Sequence, residues 1–280
     1  MYSTKIIETR KIAEDLYVMT ETKSVHCYLM IGADKALLFD VGYGYESLMP
    51  IIRSITSLPV MVVLSHGDPD HALGSFHYPE VFIHPLDYGK LLINDNYDMK
   101  KKAVEYRAGK MPEFLSFISK EDYYNSSLDG VRVKFIRNNE IIDLGEKRIK
   151  VIHIPGHSYG CVALLDIEKR RLFTGDMVLD YNIYYFMSSD EQASFHTAEY
   201  SWKKLKSMEN EYDDIFPAHG IMPIGVEYIE NLIECMGHEL KENYGNDMKI
   251  ETFMGEAYQH RYKTVNILYS KERLEEFLQG

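Results

Sequence analysis

The run Ser65-His66-Gly67-Asp68-Pro69-Asp70-His71 places four potential metal ligands within six residues. Imidazole nitrogens and carboxylate oxygens are the donors that zinc, iron and manganese accept. The run follows the apolar segment Val60–Leu64, so it reads as a turn at the end of a strand. In such a turn alternate side chains converge, so His66 and Asp68 can share one ion while Asp70 and His71 reach a second. Pro69 fixes the backbone there, and Gly67 allows close approach. An acidic surface turn is the plainer alternative, but it gives no reason for two histidines to sit beside two aspartates. Three more turns each carry one ligand-type residue beside a glycine: Pro155-Gly156-His157-Ser158, Thr174-Gly175-Asp176 and Pro217-Ala218-His219-Gly220. All three follow strand-like segments, at the ends where α/β folds display functional groups.

The elements that must position these turns can be read from periodicity. Segments 12–19, 25–31 and 36–40 are apolar and β-rich, with a hairpin turn at Gly32-Ala33-Asp34. Gly42-Tyr43-Gly44 breaks the chain before a short helix over about 46–55, and Val60–Leu64 has the continuous apolar character of a strand covered on both faces. A buried strand at 81–84 and a helical stretch over 85–93 follow. Residues 91–128 are rich in Lys, Tyr and Met with helical patterning, and no Pro/Gly/Ser linker flanks them. They are expected to form a helical insertion in a single domain spanning 1–280. Strands are expected again at 131–136, 141–144, 148–154, 161–166 and 171–174, then helices at 198–208 and 224–243. A strand at 264–269 and a helix at 271–278 close the chain. Strands, then a helix, then a histidine loop occur twice over. That order predicts an α/β fold with two sheets face to face and helices outside, a four-layer αββα sandwich.

Taken as a set, these turns resemble the metallo-β-lactamase superfamily. Its signature runs HxHxDH, then a His in a PGH[ST] loop, an Asp in a TGD loop and a His in a PxHG loop. All four pieces occur here in that order, and the resemblance extends from about Val25 to His219. His26-Cys27-Tyr28-Leu29 and Leu37-Leu38-Phe39-Asp40-Val41-Gly42 echo two further segments familiar from the superfamily. The resemblance implies two divalent metal ions. His66, Asp68 and His157 would hold the first, Asp70, His71 and His219 the second, and Asp176 would bridge both. Asp40 would hydrogen-bond the His66 loop and orient a ligand. Asp68 departs from the usual pattern, standing where most members have the second His. Zinc is the expected metal, with iron or manganese open because a carboxylate is a harder ligand than imidazole. A role as a true β-lactamase is not expected.

The chemistry implied is hydrolysis. Two dications about 3.5–4 Å apart lower the pKa of a water held between them from ~15.7 towards 7. The bridging hydroxide is then the nucleophile, with Asp70 accepting its hydrogen bond. An ester, lactone or thioester is the expected small-molecule substrate, and a phosphodiester is second. Tyr43 and Tyr45 follow the Asp40 loop and Tyr181, Tyr184 and Tyr185 follow Asp176, so these rings are candidate walls of a substrate pocket. Each taken singly reads as ordinary packing. Two other functions compete. A di-iron oxidoreductase core related to flavodiiron proteins is favoured by Asp68, since those proteins carry a Glu at that position. A non-enzymatic binding member would require a decayed site, whereas all seven ligand positions hold competent side chains.

Composition narrows the field further. A net charge of −12 argues against a nucleic-acid partner, which needs clustered Lys and Arg. The basic run Lys100-Lys101-Lys102 with Arg107 and Lys110 reads as a solvated helix face. No apolar run approaches the ~20 residues of a membrane span, and the N-terminus is too polar for a signal peptide. The three cysteines, Cys27, Cys161 and Cys235, show no CxxC spacing, which suits a reducing cytoplasm. The insertion over 91–128 could serve as a lid or pair with another copy in a homo-oligomer.

Overall fold

Glu8 and Arg10 face outward while Ile7 and Thr9 face inward, so the first strand of the chain is half-buried. The computed structural model describes residues 3–184, 192–252 and 255–279. Two compact units are present, Met1–Ile149 and Lys150–Gly280.

Unit 1 is built on a seven-stranded sheet in chain order. Its strands are β1 (Ile7–Ala13), β2 (Leu16–Glu21), β3 (Val25–Ile31), β4 (Ala36–Phe39), β5 (Val60–Val63), β6 (Glu80–Ile83) and β7 (Arg132–Phe135). From β1 to β4 the pairing is antiparallel, and from β4 to β7 it is parallel. The strand expected over 12–19 is instead the end of β1, a turn at Glu14-Asp15, and β2. Outward-facing charges on β1 hid its alternation. Five helices belong to this unit: α1 (Met49–Ile55), α2 (Pro69–Ala72), α3 (Tyr88–Asn94), α4 (Tyr97–Lys110) and α5 (Lys120–Tyr124). A short strand, β8 (Ile141–Asp143), precedes the unit boundary. The core gathers β-sheet residues such as Leu29, Leu38 and Leu64 with Val104, Phe114 and Tyr123 from the helical stretch.

Unit 2 begins within β9 (Arg148–His153), followed by β10 (Val162–Asp166), β11 (Arg171–Gly175) and β13 (Asp214–Pro217), in the order β13-β11-β10-β9. β12 (Ile183–Tyr184) joins a second sheet of order β12-β16-β15-β14, with β14 (Met248–Thr252), β15 (Gly255–Tyr262) and β16 (Val265–Tyr269). The sequence reading found only the last of these three C-terminal strands, because β14 and most of β15 carry charged and polar residues. Helix α6 (Phe195–Ser207) buries Trp202 and Leu205. The helix expected over 224–243 is α7 (Glu227–Glu234), a π-helical turn at Cys235–Glu239, and α8 (Leu240–Asn243). α9 (Lys271–Gln279) places Leu274 and Phe277 in a core shared with Trp202, Ile267 and Tyr269.

Among the described residues no helix is long and apolar enough to cross a membrane. Cys27, Cys161 and Cys235 are buried, and none is in a disulfide among the described residues.

Candidate metal centre

The parallel pairing of β4 with β5 sets their C-terminal ends side by side. Asp40 therefore emerges next to the His66 loop, and its backbone N–H donates to Val63 O at 2.9 Å. Asp40 holds φ +66°, a left-handed conformation that Asp tolerates better than most residues. Its carboxylate is 1% exposed and accepts three hydrogen bonds. Ser65 N–H donates to Oδ1 at 2.6 Å, Ser65 Oγ donates to Oδ2 at 2.8 Å, and His71 Nδ1 donates to Oδ2 at 2.9 Å.

These bonds fix both imidazole tautomers. The single Ser65 hydroxyl proton goes to Asp40, so the 2.8 Å contact between Ser65 Oγ and His66 Nδ1 has the imidazole as donor. A carboxylate cannot donate, so His71 Nδ1 also carries its proton. Each ring then presents an Nε2 lone pair, with the Asp40 carboxylate directly behind His71 and, through the Ser65 hydroxyl, behind His66, as in metal-orienting arrangements. His66 Nε2 stands 3.3 Å from Asp68 Oδ2, and His71 Nε2 stands 3.7 Å from Asp70 Oδ1. Both histidines are fully buried, and their ring centroids are 4.1 Å apart.

A second set of contacts holds the same loop from the other side. Gly67 N–H donates to Asp87 Oδ2 at 2.8 Å, Asn94 Nδ2 donates to Gly67 O at 3.0 Å, and Lys90 Nζ forms an ion pair with Asp68 Oδ1. A Cβ at position 67 would lie 2.9 Å from Leu91 N and 3.0 Å from Asp87 O, so glycine is what lets the loop and α3 meet. The sequence reading missed Asp87, Lys90 and Asn94. Their spacing of three and four residues was the available signal, since it puts three polar groups on one helical face.

In unit 2 the ligand candidates also sit at strand ends. Asp176 follows β11 and His219 follows β13; these strands run parallel, and Ala218 N–H donates to Gly175 O at 3.1 Å. His219 Nε2 lies 3.5 Å from Asp176 Oδ1, and His157 Nε2 lies 3.8 Å from Asp176 Oδ2. Asp176 thus has one imidazole facing each oxygen. Met177 packs behind these residues. It is fully buried, its Sδ accepts the His157 N–H at 3.3 Å, and its carbonyl accepts Trp202 Nε1–H at 2.8 Å. A Cβ on Gly156 would meet Met177 Cε at 2.6 Å.

The donor set fits divalent metal in both units. Two donors bound at about 2.0–2.1 Å to one tetrahedral ion stand ~3.3–3.4 Å apart. The four imidazole–carboxylate separations, 3.3–3.8 Å, start at that spacing and extend a few tenths of an ångström above it. His66, Asp68, Asp70 and His71 are therefore brought together with Asp40 in unit 1, and His157, Asp176 and His219 in unit 2.

The aromatic candidates have different settings. Tyr43 and Tyr45 are buried and stacked with centroids 5.1 Å apart, in the core of unit 1. Their backbone N–H groups donate to the two oxygens of buried Glu21, at 2.6 and 3.0 Å. Burial holds both phenols well above their usual pKa. Tyr181 is 55% exposed, and its ring stacks 6.2 Å from that of His219. Tyr185 and the side chain of Tyr184 lie outside the described residues.

The family profile described as Metallo-beta-lactamase superfamily matches residues 21–219. The acyl-coenzyme A thioesterase MBLAC2 of Gallus gallus is 28% identical over 173 residues, covering 55% of this chain and 57% of that protein. The chain thus aligns with little more than half the length of that curated relative. The structure of a metallo-beta-lactamase from Pontibacter korlensis superposes with a TM-score of 0.59 at 17% identity, covering 83% of this chain and 99% of that one. A beta-lactamase domain protein from Burkholderia ambifaria gives 0.60 at 19% identity, covering 84% and 74%. These likenesses show the fold, and the α/β metallo-β-lactamase-type fold class expected from the sequence is borne out by them.

Proposed function

The chain belongs to the metallo-β-lactamase superfamily, and on that premise we propose that it is a dinuclear metal-dependent hydrolase acting on a thioester. The observation that carries this reading is the donor set. Imidazoles in both units have a carboxylate oxygen 3.3–3.8 Å from Nε2, and in unit 1 buried bonds point the Nε2 lone pairs outward. By the superfamily signature, His66, Asp68 and His157 would hold one ion and Asp70, His71 and His219 the other, with Asp176 available to both.

The metal pair supplies Lewis acidity, lowering the pKa of water and taking charge from a carbonyl oxygen. The protein supplies orientation. Asp40 and Ser65 fix the tautomers of His66 and His71 before any ligand arrives, so little rearrangement opposes binding. Asp70, whose Oδ1 lies 3.7 Å from His71 Nε2, would offer a carboxylate oxygen to accept a hydrogen bond from the activated water. Tyr181, exposed beside His219, offers a ring to the apolar part of a substrate.

Among esters, lactones and thioesters, the thioester is favoured by the likeness to an acyl-coenzyme A thioesterase. The test is thiol release from a panel of acyl-coenzyme A substrates by metal-replete protein, with matched esters, lactones and a phosphodiester alongside. Turnover of the thioesters that a chelator abolishes and added metal restores is the expected result. Full metal loading with no thioester turnover would remove this reading.

A further inference from the structure

Asp68 is the position at which this chain departs from its superfamily's usual motif, and its surroundings are also distinctive. A carboxylate in place of a neutral imidazole adds one negative charge beside the metal. Lys90, from α3, places its ammonium on Asp68 Oδ1, while Asp68 Oδ2 lies 3.3 Å from His66 Nε2. The two carboxylate oxygens thus face different groups, one a cation and the other an imidazole. The pair is well withdrawn from solvent, with side-chain exposures of 9% for Lys90 and 19% for Asp68. Neighbouring bonds hold this geometry, since Asp87 and Asn94 grip Gly67 on either side of Lys90.

We propose that Lys90 is a positioning residue that cancels the charge of Asp68 and occupies its Oδ1, so that the Asp68–Lys90 pair presents one oxygen to the metal. In charge it then matches a neutral imidazole. This inference rests on the metal-centre reading above and adds the metal preference of the site. A bare carboxylate would draw the first position toward hard ions such as manganese or iron. An ammonium on the far oxygen withdraws electron density and blocks bidentate binding, which keeps a zinc-type site despite the aspartate. Asp68 is on this account a compensated substitution and no mark of di-iron chemistry.

Metal selectivity reads this directly. Apo protein is titrated with zinc and with manganese against a chromophoric chelator, and the ratio of the two affinities is compared among variants. Lys90→Met removes the charge and should shift the ratio toward manganese, on the order of tenfold. Lys90→Arg should hold the wild-type ratio. The double variant Asp68→His/Lys90→Met, which restores a neutral ligand without a counter-ion, should return to it. If Lys90→Met does not fold, Lys90→Gln carries the same comparison. A merely structural role for Lys90 would lower the thermal midpoint and weaken both metals alike, leaving the ratio unchanged. That outcome overturns the proposal. Wild-type protein that binds neither metal would instead overturn the metal-centre reading itself, so the two failures are distinct.

Discussion

The two units present similar ligand chemistry by different physical means. In unit 1, buried polar bonds do the holding. Asp40 collects Ser65 and His71, Ser65 receives His66, and Asp87, Lys90 and Asn94 hold the loop from its other side. In unit 2, Asp176 and His219 follow a parallel strand pair, and Met177, bonded to Trp202, lies behind His157. A polar network fixes tautomer as well as position, but leaves a costly unsatisfied group when one member is lost. The contact behind His157 is softer, since the Met177 sulfur is a weak acceptor and its site tolerates a volume-conserving exchange. The contrast therefore predicts that unit 1 is brittle behind its ligands and unit 2 forgiving.

The largest effects should ignore the contrast. His71→Ala in unit 1 and His219→Ala in unit 2 each remove a proposed ligand, and each should cost at least ~100-fold in turnover with loss of bound metal, as losses at metal sites typically do. Metal analysis beside the thiol-release assay checks both, and a fully loaded, fully active variant would break the assignment for that unit. The contrast itself is sharpened one layer back. Asp40→Ala should weaken metal binding ~10–100-fold. Met177→Leu should cost less than about 1.5 kcal/mol of stability and leave metal affinity within twofold or so. Equal losses of metal affinity in the two variants would erase the distinction.

A smaller effect tests the polar character of unit 1 by pH. Glu21 is buried beneath the loop that runs on from Asp40, and desolvation pushes its pKa from 4.5 up to about 8, against the opposing pull of the Tyr43 and Tyr45 N–H groups and Arg107. Between those two values the folded chain keeps a proton that the unfolded chain has lost. The contribution of Glu21 to stability therefore falls as pH rises across that window. Glu21→Gln cannot ionise, so melting curves from pH 5 to 8 should show the wild type losing stability relative to this variant. Parallel curves would contradict the shift.

The unequal legibility of the two layers follows from the same physics. The ligand candidates stand out in the sequence because each lies in a short turn with its own glycine or proline, a local signal. Asp40 was legible only through the resemblance of Leu37-Leu38-Phe39-Asp40-Val41-Gly42 to a superfamily segment. The clamp from α3 was not, because its bonds span 20 to 27 residues of sequence and its helix reads by composition as part of an insertion. β14 and β15 escaped for want of an apolar stripe. The tyrosines show a limit of residue type: Tyr43 packs inward and Tyr181 stands in solvent, and nothing in a phenol ring distinguishes the two beforehand.

Binding of two cations by the seven proposed ligands is what the hydrolase function requires. Anomalous scattering from crystals of zinc-loaded protein tests this most directly. It should show two peaks, one within bonding distance of His66, Asp68 and His157, the other of Asp70, His71 and His219, with Asp176 reaching both. A single peak, or peaks remote from these seven side chains, would contradict it.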